Sequence, residues 1–486
     1  GFLEFTFQPG EIRVGPAALR LVKTLSLTDI RLDPSSYADP NGFLFHYQGG
    51  IYRAIARPQE AFYRALLDRP IMAALFEKRA LAPARISDLS IPEAGCSLVI
   101  AHEPIRPVSY CVEWSPSLLR AAAKATLELA AALAGEGLLL QDAHPWNIVF
   151  DGARPCFVDL TSIVAAEGSK LPWPAYQQFL NFFLYPLELC AMGKGPEARA
   201  LLFNYARGVS EEDLARNMSA GYALRRPLAW LAARTGARLR AMGSRGGGFK
   251  RLLEKATSSE RLAGISAGLR PAFFRRLGRR LDGVPRAPKS GVWLEHARDN
   301  PAGPKLKAVS ALLESLRPGS VIDLGCNTGE FSVLAAKLGA CVTALDSDES
   351  CIDALHGRAH REDLKILPLV ADALNPTPAF GSMSDQFPSM LERLEADCVL
   401  CLGLMHHLHV AGGQSFPRIA ALLSRLGRCS AVFEFIAADD ANIRLLHHGK
   451  DIRYSMEDAT RALAAHFKLE ILDSDRPTRK LVLCRR

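Results

Sequence analysis

The sequence predicts a two-part α/β chain. An α+β N-terminal domain is expected over residues 1–233, a basic helical connector over 234–292, and a doubly wound α/β domain over 293–486. Three observations predict this. The chain has 486 residues, and at about 150 residues per domain that implies two or three domains. Beyond residue 320, short β-branched runs alternate with helically spaced segments, the pattern of a mostly parallel sheet. Between them, from Arg234 to Lys289, 15 Lys or Arg face three acids, Glu254, Glu260 and Asp282. That basic stretch holds Gly246-Gly247-Gly248 and ends in Pro285, Pro288 and Gly291.

A content of 49% hydrophobic and 23% charged residues is that of a globular protein. It excludes a disordered chain, a collagen-like repeat and a small disulfide scaffold. The net charge of +8 names no partner by itself. The connector reads as a solvated helix face plus linker. Its alternative is a site for anionic lipid or glycan, and without interleaved aromatics no nucleic-acid partner is expected. No stretch offers about 20 uncharged apolar residues, so no transmembrane segment is expected. The richest one, Leu118–Leu140, is interrupted by Arg120, Lys124, Glu128 and Glu136 and reads as an Ala/Leu helix. The chain opens on Gly1 with no leader pattern, and an upstream start is expected. Eleven cysteines scattered through apolar stretches fit reduced thiols in the cytoplasm. Cys398 and Cys401 form a C-x-x-C within a strand-like run, where residues three apart point to opposite faces. No metal site is expected there.

In chain order, strands are expected at Leu25–Leu32, Gly42–Gln48 and Ile51–Ala56. The aromatic segment from Trp173 to Glu188 reads as helix core, the alternative being an apolar groove for an acyl chain or sugar faces. In the C-terminal part, strands are expected at Val321–Leu324, Cys341–Leu345, Ile366–Val370, Asp397–Leu402, Ala431–Ile436 and Leu481–Cys484. Helices are expected at Phe331–Leu338, Ser350–Arg358 and Ile419–Leu426.

The sharpest motif is Val321-Ile-Asp-Leu-Gly-Cys-Asn-Thr-Gly-Glu330. It runs through a strand into a helix, and Gly325 and Gly329 allow a tight turn and close approach to a ligand. The spacing D-x-G-x-x-x-G is not the G-x-G-x-x-G that cradles a pyrophosphate. Asp346 ends the next strand, placed for ribose hydroxyls. Asp372-Ala373 follows the third strand and suits an adenine amino group, and Leu402-Gly403-Leu404 ends the fourth. Together these residues resemble the class I S-adenosylmethionine-dependent methyltransferases over about 293–486. The resemblance implies a Rossmann-like domain with cofactor contacts from Asp323, Gly325, Cys326, Asn327, Gly329, Asp346, Ser347, Asp372, Ala373 and Leu402.

Methyl transfer to a hydroxyl or amine requires alignment and a proton acceptor. His406 and His407, in Met405-His-His-Leu-His409, are the first candidates, because histidine supplies a base near neutrality. Glu434, ending the fifth strand, is the second. The alternative is a helix start that merely walls the pocket. Adjacent histidines without an acidic partner are not expected to hold a metal.

In the N-terminal part, Gln141-Asp-Ala-His-Pro-Trp-Asn147 is followed by Pro155-Cys-Phe-Val-Asp159. This resembles the catalytic loop and metal-binding segment of protein kinases and aminoglycoside phosphotransferases. The resemblance implies a base at Asp142, Mg²⁺ ligands at Asn147 and Asp159, and Mg-ATP as a second cofactor. Two departures stand out. The turn Asp33–Asn41 is not glycine-rich, and Arg53 stands where a lysine is expected, with Glu60 as its candidate partner. A degenerate kinase-like domain that binds substrate or partner is therefore expected before an active phosphotransferase.

The order of motifs from Leu32-Asp-Pro through Glu113-Trp-Ser-Pro, Trp173-Pro-Ala-Tyr, Asp323-Leu-Gly, His406-His-Leu and Glu434-Phe to Thr478-Arg-Lys-Leu resembles a bacterial family of two-part, nodulation-protein-like methyltransferases. This implies methylation of a saccharide, lipo-oligosaccharide or secondary metabolite. The alternatives are a bifunctional kinase-methyltransferase and a methyltransferase whose kinase-like half recruits a partner protein.

Overall fold

The computed structural model describes residues 22–36, 39–167, 169, 171–225, 260–288, 303–440, 443 and 454–486. Tyr37 and Ala38, the glycine triplet Gly246–Gly248, Gly291 and Trp293 lie outside the described residues.

The C-terminal part is a seven-stranded sheet. Its strands are β1 (Ser320–Leu324), β2 (Cys341–Asp346), β3 (Ile366–Val370), β4 (Ala396–Cys401), β5 (Gly427–Ile436), β6 (Lys468–Asp473) and β7 (Arg479–Arg485), in the order β3-β2-β1-β4-β5-β7-β6. The first five run parallel, and β7 is antiparallel to both β5 and β6. Val321, Ile322 and Leu324 are all buried, as befits a central strand covered on both faces. The order reverses between β1 and β4, which opens the crevice where doubly wound sheets bind ligands.

Helices α1 (Gly303–Leu316), α2 (Glu330–Lys337), α3 (Glu349–Arg361), α4 (Met390–Arg393), α5 (Phe416–Leu426) and α6 (Met456–Ala464) accompany the sheet. On α5 the buried residues Phe416, Ile419, Ala420, Leu423 and Leu426 recur at helical spacing. Asp348 caps α3 by accepting from the backbone N–H of Ser350 and Cys351. Each expected strand and helix of this part is present, with ends shifted by a few residues. Helices α1, α4 and α6 and strand β6 are additional to the expected set. In β6 the side chains are only partly covered, so this edge strand lacks the apolar run that marked the others.

Residue contacts divide the chain into two compact units. One gathers the described residues up to Arg69 with Ala84–Glu103; the other gathers Pro70–Pro83 and the chain from Pro104 onward. The first contains a five-stranded antiparallel sheet, in the order Arg31–Leu32, Gly42–Tyr47, Gly50–Ile55, Leu98–His102, Ala84–Ile86. Phe45, Ala54 and Val99 fill its core with Leu25, Leu89 and Ile91. The continuous strand expected at Leu25–Leu32 is not formed. A 3-10 turn at Leu27–Asp29 interrupts it, because the Asp29 carboxylate accepts from the Ser26 backbone N–H at 2.8 Å and its hydroxyl at 2.9 Å.

In the second unit, the Ala/Leu helix spans Pro116–Gly135. It stops short of Leu140 because Gly137 turns at φ +73°, and Leu138–Leu140 instead pairs with Ile163–Ala165 as strands. The hairpin Ile148–Asp151/Arg154–Phe157 lies between them in sequence. The aromatic segment is helix core: Trp173, Phe179 and Phe183 are fully buried, through two helices joined by a π-helical turn at Leu180–Leu184. The described part of the basic connector is a helix, Glu260–Asp282. It is not merely a solvated face. Phe274, Leu277 and Leu281 are buried at helical spacing, and Phe274 packs on Trp173. Arg280 donates to the Tyr176 hydroxyl at 3.3 Å.

This second unit also joins the seven-stranded sheet to the preceding helices. Arg393 at the end of α4 is ion-paired with the fully buried Glu113, lies 4.2 Å above the Tyr110 ring, and donates to the Val108 carbonyl. Phe380 and Phe387, from the segment between β3 and β4, pack against Tyr110 and Trp146. On α3, His356 contacts the Ser117 hydroxyl at 2.9 Å and the Ala153 carbonyl at 3.2 Å. Burial pushes this imidazole below its ordinary value.

Candidate active site

The carboxyl ends of β1, β2, β4 and β5 bring the sequence-predicted residues together. β1 ends in Asp323 and Leu324, after which Gly325 (φ +68°), Asn327 (φ +51°) and Gly329 (φ +84°) turn the chain into α2. The backbone N–H groups of Gly325 and Cys326 both donate to the Leu345 carbonyl of β2. Asp346 closes the loop. One carboxylate oxygen accepts from Asn327 N–H at 2.7 Å and the other from Asp348 N–H at 2.8 Å. Thus the acid expected to face a ribose also fixes the backbone of the first loop, while Ser347 beside it is exposed.

Asp323 is buried, and its carboxylate accepts from the Ser332 hydroxyl at 2.6 Å. Burial pushes it up to about 6, opposed by Ser332. Asp346 is also raised, chiefly by burial. Asp346 adds to the rise of Asp323, and a cation beside the two carboxylates would draw both toward ionisation. Cys326 is buried with a thiol raised well above its ordinary value, so it lines the loop as an uncharged group. Asp372 is exposed and accepts from Leu374 N–H at 2.8 Å, which shapes the turn that presents Ala373.

After β4, Leu402 is buried and Gly403 turns at φ +63°. Met405 and His406 follow, both buried, and a π-helical turn spans His407–Ala411. The His406 and His407 rings lie 4.0 Å apart. His406 Nδ1 is buried and has no hydrogen-bond partner among the described residues. Burial, reinforced by His407, Arg479 and Lys305, pushes His406 down to about 3. This imidazole is therefore uncharged at neutral pH and much less basic than the near-neutral base the sequence suggested.

Glu434 is fully buried near the end of β5. Its Oε2 accepts from Gly403 N–H at 2.7 Å and lies 3.1 Å from Lys305 Nζ. Its Oε1 accepts from the Ser474 hydroxyl at 3.3 Å, with Arg479 Nη1 3.9 Å away. Arg479 in turn holds Asp440 through Nε at 3.0 Å and Nη2 at 3.3 Å. Lys305, Ser332, Asp440 and Ser474 were missed in the sequence. Lys305 lies on α1 ahead of the motif, and the others carry no spacing signal of their own.

The Asp142–Asp159 segment also forms a local cluster. Asn147 Nδ2 lies 3.4 Å from Asp159 Oδ2, and Asp159 Oδ1 accepts from the Thr161 hydroxyl at 2.8 Å. Asp142 Oδ1 accepts from Gln178 at 3.2 Å. In the other unit, the expected Arg53–Glu60 pair is not made. Arg53 pairs with Asp39 at 2.5 Å, while Glu60 accepts from the Ser97 hydroxyl and the backbone N–H groups of Ser97 and Leu98. Asp39, from the polar turn, reaches the guanidinium first.

Comparison with known proteins bears on what this domain is. Residues 293–468 match a family described as a methyltransferase domain. The chain is an S-adenosylmethionine-dependent methyltransferase. It is 27% identical over 445 residues to nodulation protein NoeA of Rhizobium meliloti (strain 1021), covering 86% of this chain and 88% of that one. Solved structures with likeness include an O-methyltransferase family protein from Burkholderia thailandensis. That match has 13% identity, covers 40% of this chain and 57% of that one, and has a TM-score of 0.31. The bifunctional kinase-methyltransferase WbdD matches at 21% identity, over 37% of this chain and 38% of that one, with a TM-score of 0.27.

Proposed function

We propose that this methyltransferase acts on an oxygen atom of a saccharide, lipo-oligosaccharide or secondary metabolite, with the N-terminal domain positioning the acceptor. The cofactor, when bound, supplies an electrophilic methyl group. Asp323, Gly325, Cys326, Asn327 and Gly329 would hold its amino-acid end, Asp346 and Ser347 its ribose, and Asp372, Ala373 and Leu402 its base. The buried Asp323, with a pKa of about 6, and the half-buried Asp346, at the ends of neighbouring strands, fit a cationic guest.

The observation that carries the oxygen assignment is the uncharged His406 with an open Nδ1. An alcohol oxygen gaining a third bond becomes strongly acidic, so even a weakly basic imidazole takes its proton. A methylated amine would not release a proton to so weak a base. His406 would receive the proton at Nδ1, and His407 would wall the same pocket. Glu434 is engaged by Lys305, Gly403 and Ser474, which makes it a positioning residue in this reading. The eleven free thiols support a reducing, cytoplasmic setting.

The test supplies methyl-labelled S-adenosylmethionine and purified protein to a fractionated extract of the source organism. Label is expected as a methyl ether in a saccharide, lipid or small-molecule fraction. An N-methyl product overturns the oxygen assignment, and label confined to protein overturns the acceptor class.

A second reading, a bifunctional kinase-methyltransferase, is favoured by the Asn147–Asp159 contact beside Asp142. It requires Mg-ATP binding that disappears in Asp159→Ala. The Arg53–Asp39 and Glu60–Ser97 pairings weigh toward a domain that only binds an acceptor or partner protein.

A further inference from the structure

We infer that the Lys305–Glu434 ion pair sets how strongly the site prefers the sulfonium cofactor over its uncharged thioether product. The inference rests on the cofactor-site assignment above and goes beyond it, because neither residue belongs to the loops that would contact the cofactor's ribose or base.

The pair links the two walls of the crevice. Lys305 reaches from α1 to lie 5.5 Å over the ring of Phe331, in the first turn of α2 directly behind the first loop. Its ammonium group lies 3.1 and 3.4 Å from the two carboxylate oxygens of Glu434. Glu434 in turn fixes Gly403, the residue after Leu402, through a 2.7 Å hydrogen bond. The Glu434 side chain has no solvent exposure and that of Lys305 only 13%. Their charges are therefore weakly screened, and what one fails to cancel in the other is felt in the crevice. Lys305 acts in both directions: it draws the buried Asp323 carboxyl down and disfavours the charged form of His406.

Among the described residues, Lys305 pairs with Glu434, and Arg479 lies beside both Glu434 and Asp440. S-adenosylmethionine and S-adenosylhomocysteine differ by one methyl group and one positive charge. Any excess charge left beside the crevice therefore changes their affinities unequally. A lost structural support would instead weaken both together. The ratio of the two affinities separates an electrostatic role from a merely structural one, and it needs no knowledge of the acceptor.

The experiment is calorimetric titration of the full chain with each nucleoside, using wild type, Lys305→Met, Glu434→Gln and the double variant. Lys305→Met leaves Glu434 under-compensated and is expected to shift the ratio toward S-adenosylmethionine by about three- to tenfold, for one elementary charge acting over roughly 12 Å at an effective dielectric of about 20–40. Glu434→Gln is expected to shift it by a similar factor toward S-adenosylhomocysteine. The double variant should return near the wild-type ratio, and Lys305→Arg should keep it. Equal changes in both affinities, or shifts of the same sign in the two single variants, would overturn the inference. If Lys305→Met does not fold, the sign of the Glu434→Gln shift decides. A wild type that binds neither nucleoside would overturn the cofactor-site assignment, and this inference with it.

Discussion

Replacing Asp323 with Asn should make the free protein more stable while removing its grip on the cofactor. Asp323 is buried, with one hydrogen bond from Ser332 at 2.6 Å. Its carboxyl sits at about 6 in the fold against an ordinary 3.8. The fold thus favours the protonated acid. Below 3.8 both folded and unfolded chains carry the proton and nothing is lost. As pH rises the unfolded chain ionises first, and stability falls until the folded carboxyl has also ionised, above about 6. The gap, 6 − 3.8, corresponds to about 3 kcal/mol at 1.36 kcal/mol per pH unit. Asn keeps an oxygen that accepts from Ser332 and carries no charge. Asp323→Asn should therefore raise the melting temperature at pH 8 by up to about 10 °C for a domain of this size. The gain should shrink to about half at pH 5 and be small at pH 4. Thermal melts of both proteins across pH 4–8, with and without S-adenosylmethionine, measure this. The variant should gain no further stability from the ligand. A variant less stable than wild type at pH 8, or a gain independent of pH, would refute the argument that a desolvated carboxylate is kept there for binding.

Two further substitutions probe the frame around the site. Arg393→Ala leaves Glu113 buried without its guanidinium and removes the ring contact with Tyr110; a loss of about 3–5 kcal/mol is expected. Urea denaturation reads it, and an unchanged midpoint would show that Glu113 is satisfied by other groups. Gly329→Ala puts a Cβ 2.3 Å from Leu355 Cδ1 at a φ of +84°. Left-handed strain of about 1–2 kcal/mol and overpacking of about 1–3 kcal/mol should lower both the melting temperature and cofactor affinity. A variant that melts and binds like wild type would mean that the first loop reshapes freely.

Much of this fold was legible because it is written in local periodicity. β1 through β4 are buried on both faces and read as short apolar runs, and α5 shows its buried stripe in every turn. Asp323, Gly325, Gly329 and Asp346 stand out as candidates in the sequence because a tight turn from a strand end into a helix restricts residue type. What stayed hidden depends on distance along the chain. Lys305 meets Glu434 across 129 residues and Arg393 meets Glu113 across 280, and no spacing rule marks either cation. The Leu25–Leu32 run was misread for the opposite reason: its apolar residues suggested a strand, but Ser26 and Asp29 close a local turn that outcompetes the ladder.

The same contrast explains how the catalytic candidates divide. His406 and Glu434 both stood out as bases, since sequence gives residue type and not environment. In the structure, Glu434 is tied to a lysine, a serine and a backbone N–H, whereas His406 keeps an open ring nitrogen among the described residues. A carboxylate whose two oxygens already meet an ammonium group, a backbone N–H and a hydroxyl serves to hold those groups in place. An uncharged imidazole in a dry pocket accepts a proton only from a strongly acidic donor. In the proposed reading the two residues divide the work: Glu434 fixes the turn after β4 through Gly403, and His406 on that turn would receive the proton. On this basis Glu434→Gln should disturb cofactor and product binding, whereas His406→Gln should leave both nearly unchanged and slow transfer.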